Sequence, residues 1–345
     1  MKFASNAAPH WLGAESVAVL MRQVLYALVP ALIVLVWFFG AGIILNILVA
    51  AVVALGCEAL VLRIRKRPVG LFISDYSALV TAVLLAMSLP PLTPWWITAT
   101  GTVFAIVFAK HLYGGLGYNV FNPAMVGYAV LLVSFPEDMA AWPLPRNITP
   151  DQQTLSLFTV LQYWATGSVP ADVTVDALSA ATPLNSVKGQ LGMMRTMPEI
   201  VGDPLFGNLA GHGWEWINAA TALGGGWLLY RRIIRWQIPT AMLAGLLAPA
   251  LVFYIVDPAT HPSPAFHLLS GGTMLGIFFI ATDPVSAAAS NRGRLIYGLG
   301  IGIITYVIRN WGAYPDGIAF AVLLMNLAVP VIDRYTRPRI YGHGA

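Results

Sequence analysis

The side chains of this protein with chemistry to offer are few and widely spaced. Thr182 closes the polar run Asp176-Ala177-Leu178-Ser179-Ala180-Ala181-Thr182-Pro183-Leu184. Proline disfavours the helical region for the residue before it, so Thr182 is predicted to be extended, with its hydroxyl presented outward. Such a hydroxyl serves either as the oxygen of a turn or helix cap or as a nucleophile offered to another molecule. Asn119 and Asn122 lie in the glycine-rich stretch Gly114 to Ala124. Their amides, three residues apart, can satisfy interrupted backbone or hold a planar ligand rich in carbonyl and ring-nitrogen groups. No strand precedes the glycines, so the stretch is not a phosphate loop. Glu58, Asp75, Lys110 and Asp283 fall within or at the ends of apolar runs, where a charge costs on the order of 3 kcal/mol and is a functional candidate. Glu58 and Asp283 are the acids to consider for ion coupling. The plainer roles are, for Asp75 and Asp283, a place at a helix end where they pair with Arg or cap backbone groups, and for Glu58 a reach toward Arg63. The six histidines have no metal-ligand spacing, and neither a Ser-His-Asp order nor a His-Glu-x-x-His motif occurs. No catalytic residue and no metal site is therefore predicted. Cys57, the single cysteine, excludes an internal disulfide and an iron–sulfur cluster held by this chain alone.

The elements that must position these groups are membrane helices. Apolar residues make up 58% of the 345, charged residues 10%, and the mean hydropathy is +0.72, outside the range of soluble domains. Ten apolar runs are long enough, or nearly so, to cross a bilayer: 23–40, 42–62, 75–91, 94–111, 121–136, 214–231, 238–256, 268–282, 294–309 and 317–333. The fold class is an all-α polytopic membrane protein. Trp95, Trp96, Trp214, Trp216, Trp236 and Trp311 stand near run ends, as interfacial anchors do. Residues 1–22 form a retained cytoplasmic or interfacial N-terminus, in which Val17, Leu20, Met21 and Val24 predict a short helix lying on the membrane surface. With the N-terminus cytoplasmic, 15 of the 19 Lys and Arg residues fall on that side, a strong positive-inside bias. Both termini, including the tail 334–345, are thus placed in the cytoplasm. Segment 137–213 lies outside, with seven Asp or Glu against three Lys or Arg. Nothing indicates a nucleic-acid partner.

Five runs precede that segment (23–136) and five follow it (214–333), so the halves have opposite orientation and form an inverted repeat. Ser88-Leu89-Pro90-Pro91 has a counterpart in Thr282-Asp283-Pro284-Val285. Lys110-His111 before a Gly-rich turn likewise matches Arg309-Asn310 before Gly312 to Gly317. Interruptions at corresponding places are where such folds build sites.

Asp176-x-x-Ser179-x-Ala181-Thr182, on the outer face of a five-plus-five helix protein, resembles the flavinylation site of the RnfD/NqrB family. Similarity extends to Gly114 to Ala124, to Ala281-Thr282-Asp283-Pro284-Val285-Ser286 and to Gly293-Arg294-Leu295-Ile296-Tyr297-Gly298. The short N-terminus is more similar to the RnfD branch than to NqrB. The resemblance implies that a flavin transferase, using FAD and magnesium, joins FMN through its phosphate to Thr182, with Asp176, Ser179 and Ala181 as recognition elements. It also implies a non-covalent riboflavin, placed here against Asn119 and Asn122. The partners implied are RnfA, RnfB, RnfC, RnfE and RnfG in the bacterial inner membrane. Together they move electrons between NADH and ferredoxin while transporting Na⁺ or H⁺. Without the Thr182 motif, the broken-helix repeat reads as a solute transporter or channel; an NqrB-like subunit of a Na⁺-translocating NADH:quinone reductase is the nearer alternative.

Overall fold

The computed structural model describes residues 17–148, 157–166 and 179–336. Among them the structure is helical, and the only β pairings are the isolated bridges Trp142 to Ala180 and Phe206 to Gly211.

In the first half α1 is Val17–Phe39, α2 Gly42–Ile64, α3 Val69–Ile73, α4 Ser77–Ser88 and α5 Trp95–Val103, followed by a π-helical continuation Phe104–His111. After it come α6 Pro123–Ser134, α7 Pro136–Ala140 and α8 Leu157–Thr166. The remainder comprises α9 Pro183–Gly192, α10 Met197–Val201, α11 Trp214–Tyr230, α12 Gln237–Val256, α13 Pro264–Leu269, α14 Thr273–Leu275 with a π-helical continuation Gly276–Ile280, α15 Asn291–Trp311 and α16 Ile318–Thr336.

Helix lies over each of the ten apolar runs. Four helices, α1, α2, α12 and α16, are long and apolar enough to cross a membrane, and the chain is an all-α polytopic membrane protein. Their exposed faces carry Ile33, Leu48, Val252 and Leu327, which meet lipid at no cost. The sequence predicts a separate surface helix ahead of the first run, but Val17 to Phe39 is one continuous helix. Nothing between Leu20 and Val24 breaks it, and a helix already nucleated propagates more easily than a second one starts.

The run 75–91 contracts to the twelve residues of α4, about 18 Å of helix, and the run 268–282 is broken between α13 and α14. Such breaks leave backbone groups that hydrocarbon cannot satisfy. Buried asparagines satisfy them instead. Asn218 Nδ2 donates to Leu269 O and Gly271 O, and its Oδ1 accepts from Met274 N. Asn46 Nδ2 donates to Pro90 O at 2.9 Å, holding the chain beyond α4. Asn326 Oδ1 accepts from Asn122 N at 3.0 Å across 204 residues of sequence.

Helices α12 and α15 share the most extensive contact in the molecule. A Cβ at Gly302 would meet the backbone of Met242, Leu246 and Gly245. Gly298 and Gly302, four apart, let the two backbones approach as small-residue pairs do in membranes. α1 packs on α11, and α6 on α16.

Candidate functional site

Thr182 is the N-cap of α9. Its φ of −65° and ψ of 156° are extended, and its Oγ1 accepts from Asn185 N at 3.2 Å. The hydroxyl therefore takes the helix-cap role, at a helix start whose free N–H groups favour an anion. Ser179 and Ala181 are exposed and Thr182 is half-buried, so the run can be reached from outside. Asp176 lies outside the described residues.

Two contacts fix this segment. Ala180 N donates to Trp142 O at 2.7 Å. Lys188, two turns into α9, donates to Ile308 O and Tyr314 O at 3.2 and 2.9 Å, tying α9 to the corner between α15 and α16. Burial holds the Lys188 ammonium below the usual lysine range.

Thr182 opens onto a cavity of about 330 Å³ lined also by Trp142, Asn185, Trp214, Tyr314 and Asp316, within the size range of small-molecule sites. Its floor is aromatic. Phe39, Trp142 and Trp214 pack with ring centroids 4.9 to 5.3 Å apart. Trp214, expected as an interfacial anchor, is only 6% exposed and belongs to this floor, whereas Trp95, Trp96, Trp216, Trp236 and Trp311 are exposed. It starts α11 beneath the outer segment, which shields it from the interface. Gly271, at a φ of +58°, lets the break between α13 and α14 pass the cavity wall, where a Cβ would meet Asp316 and Leu184.

The wall is anchored by Arg309, a charge that the sequence marks only as a repeat counterpart. Its guanidinium donates to His267 O at 2.6 Å, Thr273 Oγ1 at 2.8 Å and Asp316 Oδ1 at 3.1 Å. Asp316 Oδ2 in turn accepts from Gly272 N at 3.0 Å.

A second cavity, of about 180 Å³, lies at the opposite end. α11 runs from Trp214 at the first cavity to Leu228 at the second, and the two cavities come close at their walls, where Leu84, Ala124 and Phe279 line the second and Met87, Met125 and Ile280 line the first. Asn119, Asn122, Lys110, Ser77 and Asp283 all line this second space. Both asparagines are already engaged with protein. Asn122 Oδ1 caps α6 through Met125 N and its Nδ2 donates to Ile280 O at 3.2 Å; Asn119 Nδ2 donates to Phe121 O at 3.1 Å. An amide nitrogen carries two N–H groups, so donors remain for a ligand, but the space is smaller than usual for one.

Glu58 does not reach for Arg63. It takes both bonds of a pair with Lys110 Nζ, at 2.8 and 2.9 Å, with each side chain 2% exposed. Lys110 donates a third bond to Ser77 Oγ at 2.7 Å. Asp75 Oδ1 accepts from Ser77 N and Oγ at the start of α4, and Asp283 accepts from Val285 N and Ser286 Oγ in the turn that follows the second π-helical stretch, so both acids satisfy local backbone N–H groups. Asp283 alone of the two coupling candidates combines such a role with a place on a cavity.

Residues 4–342 match the NQR2, RnfD, RnfE family. The chain is 53% identical over 337 residues to a Pseudomonas aeruginosa protein (strain UCBPP-PA14) named as the D component of the ion-translocating oxidoreductase complex, covering 97% of this chain and 94% of that one. Proteins of the same name from Vibrio cholerae (strain O395) and Alcanivorax borkumensis (strain SK2) are 49% and 50% identical, with 99% of this chain covered in both and 100% and 98% of theirs.

Proposed function

Because the chain belongs to the NQR2, RnfD, RnfE family, we propose that it is the membrane subunit of an Rnf-type ion-translocating oxidoreductase complex. In this reading it carries FMN on Thr182 and relays electrons within a complex whose other subunits are RnfA, RnfB, RnfC, RnfE and RnfG. The observation that carries the reading is the Thr182 hydroxyl itself, a helix N-cap at the mouth of an aromatic-floored cavity. A phosphoester there places its anionic oxygens against the start of α9, where helix N–H groups and the macrodipole favour negative charge. Trp142 and Trp214 supply a flat apolar surface, and the exposed Ser179 and Ala181 give a flavin transferase access. A bound flavin accepts and passes electrons singly or in pairs; this chain's part is to fix its position through Ala180 and Lys188 and to exclude water with the aromatic floor.

Thr182 faces the extracytoplasmic side in this reading, in two five-helix repeats of opposite orientation. The repeat is supported by the matched cations: Lys110 and Arg309 each bond the hydroxyl of the first residue of a short interrupted helix, Ser77 and Thr273. Asn119 and Asn122 hold riboflavin at the second cavity. Asp283, and behind it Glu58, couple electron flow to Na⁺ or H⁺.

In-gel flavin fluorescence of the denatured chain, produced with a flavin transferase, tests the core of the reading. Fluorescence should survive denaturation in the native chain and vanish in Thr182→Val. A native chain without covalent flavin would remove the redox role, and fluorescence persisting in the variant would move the acceptor elsewhere. For coupling, neutral replacement of Asp283 and Glu58 that leaves transport per electron unchanged in vesicles would dismiss those acids.

A further inference from the structure

At the end opposite Thr182 three basic side chains are each engaged by a carbonyl oxygen. Arg65 donates to His111 O at 2.6 Å, Arg67 to Gly114 O at 3.5 Å and Arg22 to Ala18 O at 3.3 Å. Arg235 and Arg294 are arranged differently, although Arg294 Nε also donates to Ala288 O at 3.2 Å. One terminal nitrogen of each donates to the same oxygen, Asn291 Oδ1, at 3.1 and 3.3 Å. Arg235 comes from the turn between α11 and α12 and Arg294 from the first turn of α15, so two unrelated segments bring like charges to one neutral acceptor. Among the described residues neither has a carboxylate within ion-pair distance. The acid nearest in influence to Arg294 is Asp333, whose two oxygens both accept the N–H of Ala289.

Two guanidiniums held together on an amide oxygen repel each other, and most of their N–H donors remain available. An anion between them would relieve the repulsion and take bonds from both. The surroundings specify what kind of anion. Trp236 and Tyr230, 58% and 80% exposed, flank the turn as side chains do at the level of lipid headgroups. One step into α15, Leu295 and Ile296 are 40% and 50% exposed and continue the surface as an apolar wall. We propose that Arg235 and Arg294, bridged by Asn291, bind the phosphate of an anionic phospholipid whose acyl chains lie along α15. Basic pockets between membrane helices recognise such headgroups, and the apolar wall favours a lipid over free phosphate. The site is independent of any flavin on Thr182.

The test is native mass spectrometry of the full chain, purified from membranes with the subunits it retains, stripped of lipid and titrated with phosphatidylglycerol or phosphatidylcholine. Phosphatidylglycerol should bind in preference. Arg235→Gln with Arg294→Gln should weaken it about thirtyfold, taking each basic residue at its usual weight near an anionic surface, while Arg22→Gln at the same end leaves it unchanged. Asn291→Asp covers the case in which the double variant does not fold: a carboxylate between the guanidiniums keeps their geometry, supplies the missing anion and should abolish the preference. Unchanged phosphatidylglycerol binding in either variant overturns the site. So does displacement of the lipid by millimolar inorganic phosphate, which would make it a free-anion site, or failure to bind lipid while partner subunits remain attached, which would make it a protein contact.

Discussion

The two buried cations among the described residues, Lys110 and Arg309, make the same opening contact and then part ways. Lys110 bonds Ser77 Oγ and Arg309 bonds Thr273 Oγ1, each hydroxyl standing at the start of a short interrupted helix. Lys110 is then closed off by Glu58, with both side chains 2% exposed. Arg309 is 1% exposed, but its partner Asp316 is 23% exposed and lines the cavity beside Thr182. One knot ends in an acid that lines neither cavity and the other in an acid that solvent and ligand can touch. The difference separates a lock from a contact that can respond to what occupies the cavity.

The Lys110 knot should give the largest response. Lys110→Met leaves Glu58 buried with only His111 Nε2 beside it, at 3.6 Å, and should cost about 3–5 kcal/mol, read as a loss of thermal stability in detergent. Adding Glu58→Met should restore most of it, because an apolar pair replaces a buried ion pair nearly neutrally; a double variant as unstable as the single one would show that the pair does more than compensate charge. Arg309→Met should cost less, about 1.5–3 kcal/mol for bonds to a charged group, since Asp316 can turn to water. Equal costs at the two cations would erase the distinction between them.

Smaller effects sharpen the outer side. Lys188→Met frees α9 from the corner at Ile308 and Tyr314, and should reduce covalent flavin while lowering the melting temperature by no more than about 2–4 °C. Normal incorporation would show that Ala180 and Pro183 position Thr182 by themselves. Smallest is a pH effect at α10. Backbone and hydroxyl hydrogen bonds with Thr196 hold the Glu199 carboxyl below its ordinary 4.5. A depressed carboxyl contributes stability above its unfolded value and loses it as pH falls through the folded one. Below about pH 4.5 the Thr196 amide should therefore exchange faster relative to Glu199→Gln, and equal exchange in the two would show that the capping box contributes nothing there.

The sequence is most readable where a property belongs to neighbouring residues. The apolar runs locate helix because bilayer length and hydropathy are local, and Pro183 is enough to make Thr182 extended. What escapes is the choice of partner. Glu58 has Arg63 one turn away, yet it pairs with Lys110, 52 residues distant, because only tertiary packing brings a fully buried cation beside it. Asn46, Asn218 and Asn326 are each the one asparagine of an apolar helix, with apolar residues on both sides, and that setting is the available signal for their role in satisfying broken backbone. Trp214 is indistinguishable from the interfacial tryptophans by type and position in its run. The outer segment that covers it is remote in sequence.

The hydrogen bond from Asn122 N to Asn326 Oδ1 also has a place in time. At about 5–20 residues per second, the 204 residues between them keep the first helices waiting roughly 10–40 s in the bilayer for the acceptor to be made. During that interval the start of α6 must lean on lipid headgroups, water or the insertion machinery. A chain stopped short of α16 is thus an incomplete first half as much as a missing last helix.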